Sequence, residues 1–362
     1  TTKPTMKKIT VPFKEVSDYT LEDFGGKRQS KTVCIVRYGA FGDIIQTSSL
    51  FPQFKKEGYK VCVNVSEAGS KLLKSNPYVD ELLIQKSNQI CNTQLVNYWE
   101  KMSPCFDKFV QLSESIEGTL LLNPNRVVES KGEKYQVPAS KGYYDSQEEI
   151  HKKCNVNYLE FTHELAGVPF QHRPAYYPSE EEKKWARKQR KKIKSKHVVM
   201  ISLSGSSVHK VWPWNDVMIA SILKERKDIS FVTVGDEMCK ILEVGWEKEP
   251  RVITKSGEWS IGNTMAFLDH CSVIVGPETG VLNAASMKKI HKAVFLSHSS
   301  EENLTKHWSN TTSFTPENCP CYPCHKMHFG FSTCNRDEEI GGALCASNID
   351  PRIVVSDIMR NL

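Results

Sequence analysis

No apolar run in this chain approaches the roughly 18 residues that a bilayer-spanning helix needs, so a helical membrane protein is excluded. The first residues, TTKPTMKKITVPFKEV, carry basic side chains but neither an apolar core nor a small-residue cleavage site, so no secretory leader is expected. Two nucleotide fingerprints are missing as well. Without G-x-G-x-x-G a dinucleotide-dependent dehydrogenase is a poor candidate, and without G-x-x-x-x-G-K there is no P-loop. Charge of one sign is also in short supply. The 48 Lys and Arg against 42 Asp and Glu leave +6, which favours anionic partners (phosphates, nucleic acid or an anionic membrane surface) without choosing among them, and ordinary solubility accounts for it.

What is present fits a cytoplasmic globular protein. The 362 residues are 39% hydrophobic and 25% charged, with a mean hydropathy of -0.43, enough for two domains that each bury a core. Of the 12 cysteines, Cys34, Cys62, Cys91, Cys105, Cys154, Cys239 and Cys271 are scattered singly and read as small core hydrophobes.

After a polar arm, residues 1–30, the run from Thr32 to Tyr38 has the length and β-branched content of a buried strand and ends at Gly39-Ala40-Phe41-Gly42-Asp43. A helix is expected over 44–56 and a strand over 59–65, which starts a parallel sheet. Pieces around 68–75 and 81–84 continue the alternation, whereas 87–144 is less regular and suits loops that reach a substrate. The second half repeats the rhythm more clearly: strands over 198–203, 229–234, 251–253, 272–275 and 293–296, with helices over 214–226, 261–270 and 280–288. This gives an α/β chain of two Rossmann-like, doubly wound parallel-sheet domains facing a central cleft, the GT-B arrangement. The expected boundaries are 31–178, a basic helical linker 179–196, a second domain 197–318 and a cysteine-rich tail with a terminal helix 319–362. The basic run from Arg187 to Lys192 reads as a solvated helical face, with contact to nucleic acid or anionic lipid as the alternative.

Three loops carry candidate chemistry, each where a strand feeds a helix. In the first, Gly39, Phe41 and Gly42 let a ligand approach the backbone, and Asp43 serves as a general base or as the cap of its helix. The second, Ser204-Gly205-Ser206-Ser207 followed by His209-Lys210-Val211-Trp212-Pro213-Trp214, offers small donors and the Lys210 charge to phosphate, or is a tight turn with a Trp-rich packing block. The third, Gly276-Pro277-Glu278-Thr279-Gly280, offers helix amides and a Thr hydroxyl to a diphosphate and the Glu278 carboxylate to a ribose diol, or is a Gly-Pro turn with a Thr cap.

In this order and on these elements, the loops resemble the ADP-heptose lipopolysaccharide heptosyltransferases of glycosyltransferase family 9, over nearly the whole chain from Thr32 to Leu362. The resemblance implies that Asp43, in Gly42-Asp43, is the catalytic base and that Lys210, before Trp212-Pro213, binds donor phosphate. Glu278-Thr279-Gly280-Val281-Leu282-Asn283 matches the family's D-T-G-x-x-H donor loop, with Glu278 in place of Asp and Asn283 in place of His. The nucleoside acid resembles Glu237 or Asp236 after Gly235. It implies inverting, metal-independent transfer from an ADP- or UDP-linked sugar to a saccharide hydroxyl, with no cofactor, in a cytoplasmic enzyme with at most peripheral membrane contact. Two alternatives stand beside it: a phage-type transferase acting on modified bases in DNA, with the basic helix on the phosphate backbone, and a non-catalytic nucleotide-sugar-binding module.

The remaining cysteines, Cys319, Cys321, Cys324, Cys334 and Cys345, crowd into the tail, in a C-x-P-C-like arrangement also common in that family. Their spacing would suit zinc, but Cys319 and Cys321 are close for two ligands, and His325 and His328 blur the set. They are read as reduced packing cysteines, with a structural metal or a disulfide as the alternative, and no metal ligand is assigned.

Overall fold

The computed structural model describes residues 5–113, 127–130, 133–136, 155–325, 330–331 and 334–362. The chain divides into two compact units, residues 1–141 with 159–177, and residues 142–158 with 178–362.

The first unit holds five parallel strands in the order β1-β4-β3-β2-β5: β1 Lys7–Thr10, β2 Thr32–Val36, β3 Lys60–Ser66, β4 Glu81–Gln85 and β5 Lys108–Gln111. Every residue of β2 is buried, as expected of a strand covered on both faces, and it pairs Cys34 with Cys62 and Ile35 with Val63. The arm expected over 1–30 does not stand apart. β1 is the edge strand, and Val11, Val16, Tyr19 and Phe24 join Tyr98, Trp99 and Met102 in the core on one face. The Lys7-Lys8 pair disguises this strand because an edge strand tolerates charge. The stretch expected to carry loops, 87–144, instead holds the helix Leu95–Met102, β5 and a separate antiparallel pair, β6 Val127–Ser130 and β7 Glu133–Gln136; its residues 114–126, 131–132 and 137–144 lie outside the described residues.

The second unit holds six parallel strands in the order β10-β9-β8-β11-β12-β13: β8 His197–Ser202, β9 Ile229–Val234, β10 Val252–Thr254, β11 Val273–Pro277, β12 His291–Phe295 and β13 Thr311–Phe314. The chain starts in the middle, at β8, winds outward through β9 and β10, then crosses back to β11, the doubly wound order. The helix Glu180–Lys192 belongs to this unit rather than forming a linker. Ser179 and Glu182 cap it reciprocally, and Trp185 meets Trp259 edge-on at 4.8 Å beside the helix Ile261–Phe267. The tail is built in as well. Val354 and Ile358 of the helix Pro351–Arg360 enter the core, and Trp212 and Trp214 donate to the carbonyls of Ile349 and Ser347 at 3.1 and 2.9 Å. The Trp-rich block therefore does pack.

On β12, Lys292 is fully buried, with Nζ donating to the Lys288 carbonyl at 2.5 Å. Burial, with Lys288 nearby, pulls its pKa down to about 8. A lysine whose pKa is lower folded than unfolded is carried charged at a cost below about pH 8, and that cost is relieved as pH rises towards the ordinary value of 10.5. The stability of the protein relative to Lys292→Met is accordingly expected to rise over this interval, by an amount on the order of 3 kcal/mol at most. Urea unfolding of both proteins across the interval measures it, and parallel curves would refute a buried ammonium.

Candidate active site

In each unit the candidate residues lie where the strand order reverses. In the first unit this point is between β2 and β5, and the Tyr38 N–H, just beyond β2, donates to the Ser113 hydroxyl beyond β5 at 2.6 Å. Gly39 follows with φ +114, and a Cβ there would sit 2.6 Å from Asp43 Oδ2, so glycine is required by both the backbone and the carboxylate. Asp43 is the third residue of the helix Phe41–Thr47 and not its cap. Ala40 holds the cap position, and its N–H donates to Asp43 Oδ2 at 2.9 Å. Asp43 Oδ1 lies 3.1 Å from Arg37 Nη2, with the Arg37 side chain 2% exposed and that of Asp43 29%. The carboxylate is therefore anchored from behind and open in front. Phe41 and Gly42 are half-buried beside it, and Gly39 is exposed.

Beneath the loop, the Tyr38 hydroxyl donates to Gln85 Oε1 at 2.9 Å, contacts Asn64 Oδ1 and accepts from Trp99 Nε1 at 3.1 Å. Burial pushes the Tyr38 pKa up, which keeps the hydroxyl neutral and able to do both. These residues tie the ends of β2, β3 and β4 together.

In the second unit the reversal lies between β8 and β11, and two loops meet there. Lys210 Nζ donates to the Glu278 carbonyl at 2.9 Å and lies 3.3 Å from its carboxylate, with both side chains mostly buried. A Cβ on Gly205 would come within 2.5 Å of Lys210 Cδ, so only glycine lets the lysine stem pass. The Gly205 N–H closes the loop on the Lys210 carbonyl at 3.2 Å, and Ser204 pairs across it with Val211. Thr279 occupies the cap position of the helix Gly280–Ala285 without capping it. Its hydroxyl instead faces Ser202 Oγ at 3.1 Å. Asn283 Nδ2 donates to the Glu278 carboxylate and, at 2.9 Å, to the Thr279 carbonyl. Ser206 is exposed on the same loop.

Beyond β9, the next strand over, Asp236 caps the turn Glu237–Glu243 by accepting from the Cys239 N–H at 3.1 Å, and Glu237 pairs with Lys240 at 2.7 Å. Both acids are exposed. β9, β8 and β11 are adjacent and parallel, so the Asp236, Ser204 and Glu278 loops share one sheet edge, the carboxyl end where doubly wound folds take their ligands.

Four contributors escape a reading of the sequence: Arg37, Tyr38, Ser202 and the His209–His298 pair, whose rings lie 4.1 Å apart while Ser297 Oγ donates to the His209 carbonyl. Each depends on a partner that local sequence does not show: Asp43 across the glycine turn for Arg37, Asn64 and Gln85 for Tyr38, Thr279 for Ser202, and two loops brought together for the histidines; only a charged residue ending an apolar strand hinted at Arg37. In the tail, Cys319 and Cys321 bring their sulfurs to 3.5 Å, and Cys319 and Cys334 pack against the small cluster of Ala343, Cys345 and Ala346. Burial, with Cys334, Cys324 and Cys321 nearby, pushes the Cys345 thiol up to about 12. Among the described residues no three His, Cys, Asp or Glu side chains are placed to hold a metal ion, and no helix is long and apolar enough to cross a membrane.

Each unit is a doubly wound parallel sheet with its candidate loops at the carboxyl end of the strands, and solved structures share the fold. The chain has the fold of Escherichia coli ADP-heptose lipopolysaccharide heptosyltransferase II, at 12% identity and a TM-score of 0.59 over 91% of this chain and 98% of that one. A glycosyltransferase family 9 protein from Veillonella parvula matches at 13% identity and 0.58, over 78% and 85%. The E. coli heptosyltransferase WaaC, solved with ADP, matches at 12% and 0.52, over 91% and 100%. No protein-family profile and no curated protein sequence matches the chain.

Proposed function

We propose that the chain is an inverting glycosyltransferase that moves a sugar from a nucleotide-diphospho-sugar to a hydroxyl of a lipopolysaccharide-type saccharide. The observation that carries the reading is a carboxylate anchored at both oxygens yet open to solvent, Asp43, at one switch point, with Lys210, Glu278 and Thr279 tied together at the other. The acceptor oxygen bonds to the anomeric carbon as the bond from that carbon to the diphosphate breaks, the electron pair leaving with the diphosphate and the acceptor proton passing to Asp43. Attack opposite the leaving group inverts the centre. Lys210, with donors from Ser206, Thr279 and Gly280, stabilises the departing charge, while Ser204 and Gly205, whose own donors close the loop on itself, shape it around the lysine. Glu278, held in place by the buried Asn283, takes the ribose, and Asp236 or Glu237 meets the base. ADP is the first nucleotide to try, because WaaC was solved with it. The buried thiols of Cys34, Cys62, Cys239 and Cys345 suit a reducing cytoplasm.

The test is turnover of ADP-, UDP- and GDP-sugars with lipopolysaccharide core and duplex DNA as separate acceptors. Transfer to the saccharide is expected; transfer to DNA alone would replace the acceptor, and nucleotide binding without transfer to either would leave a binding module. Lys210→Met is expected to weaken ADP binding roughly ten- to hundredfold by calorimetry, the contribution of a charge-assisted hydrogen bond. Unchanged affinity would remove Lys210 from the donor site.

A further inference from the structure

The second unit carries a charge feature that sugar transfer does not use. Residues 183–196 contain nine Lys and Arg and no acid, against a net +6 for the whole chain, so the rest of the chain is net acidic. The cations lie on the outer face of the helix Glu180–Lys192 and on the turn into β8, because the inner face is taken up by Trp185 and Ala186. Lys188, Lys191, Lys194 and Lys196 are exposed, and none has a carboxylate partner among the described residues. Arg190 is different: it is spent on the carbonyls of Ile193, Ser195 and Lys196, at 2.9, 3.0 and 3.0 Å, which stiffens the turn that presents the lysines.

The sheet topology extends the patch. Lys196, Lys227 and Lys289 immediately precede or enter β8, β9 and β12, so they mark the amino edge of one parallel sheet, and Lys227 and Lys289 are exposed too. Two acids on that edge are engaged, Asp228 by Arg226 at 2.8 Å and Asp269 by Lys288 at 2.6 Å, which leaves the exposed Glu225 and Glu247 against the lysines. The donor loops leave the opposite edge, about 20 Å away for a six-residue strand.

We infer that this lysine-rich edge docks the protein reversibly on an anionic lipid bilayer. Lysine chemistry chooses this occupant over nucleic acid. The exposed cations are almost all flexible ammonium groups, which suit a diffuse sheet of phosphate headgroups, whereas nucleic acid is gripped with arginine forks and planar side chains that stack on bases. The one aromatic in the segment, Trp185, is packed against Trp259. Docking through the amino edge leaves the donor loops of the same sheet open, and the inference stands whether or not the chain transfers sugar.

The experiment is flotation of the full chain with vesicles of phosphatidylcholine alone or with about one third phosphatidylglycerol, at low and high salt, beside anisotropy of a labelled DNA duplex. Binding to the phosphatidylglycerol vesicles only, lost at high salt, is expected. Lys188→Gln/Lys191→Gln/Lys194→Gln/Lys196→Gln should weaken it at least about a hundredfold, at roughly fivefold per lysine. These side chains are solvated, so the variant should keep the parent unfolding midpoint, and the salt series on the parent reads the same surface without it. Equal flotation on neutral vesicles, no flotation, or tight duplex binding without flotation would each overturn the inference.

Discussion

Replacing Asp43 with Asn is expected to slow sugar transfer by about 10²–10⁴-fold, the usual contribution of a positioned general base, while ADP affinity stays within about twofold. The amide keeps the shape of the carboxylate, and its carbonyl oxygen can still accept the Ala40 N–H, but it cannot take a proton from an incoming hydroxyl. The proposed nucleotide contacts belong to loops of the other sheet, so the substitution is expected to leave them undisturbed. Asp43→Glu should be nearly as slow, because the longer side chain cannot satisfy both the reach to Ala40 and the Arg37 contact from the same helix position. A loss of less than tenfold in Asp43→Asn would mean that the carboxylate only finishes its helix, and the transferase mechanism would lose its base.

Much of this arrangement is legible in the sequence, because parallel strands covered on both faces write themselves as β-branched runs, and the loops that follow them are where glycine and charge collect. Thr32 to Val36, Val198 to Ser202 and Val273 to Val275 are plain for that reason, and so are Asp43, Lys210 and the Glu278–Asn283 loop. What is hidden depends on pairing across sequence distance. β1 begins Lys-Lys and is a strand only because β4 offers an open edge, and Lys292 looks like a solvated charge between His291 and Ala293 until the turn at Lys288 is seen to bring a carbonyl over it. The tail reads as a separate module because of its cysteines, yet Val354 and Ile358 make it part of the second core. Arg37 is the clearest case. Nothing local distinguishes a buried arginine from an exposed one at the end of a strand, and its partner lies six residues on, across the glycine turn.

The Arg37–Asp43 pair is expected to be asymmetric in a way that separates its structural from its functional role. The guanidinium is buried and the carboxylate is not, so the two deletions are not equivalent. Asp43→Ala leaves a buried positive charge without its carboxylate and should lower stability by about 3 kcal/mol, the lower end for breaking a buried pair from one side. Arg37→Met removes the charge that was costly to bury, fills similar space and leaves Asp43 facing water, so it should lower stability far less. The double variant Arg37→Met/Asp43→Ala should recover at least about 1 kcal/mol of the Asp43→Ala loss, the coupling that urea titration of all four proteins would extract. Activity should divide the other way. Arg37→Met keeps the base but frees one of its oxygens, so kcat should fall while the KM for the donor, bound on the other sheet, stays put; Arg37→Lys should restore part of kcat by keeping a charge at that place. Equal destabilisation by the two single variants, with no coupling, would show that Arg37 is held by the rest of the sheet and does not position Asp43.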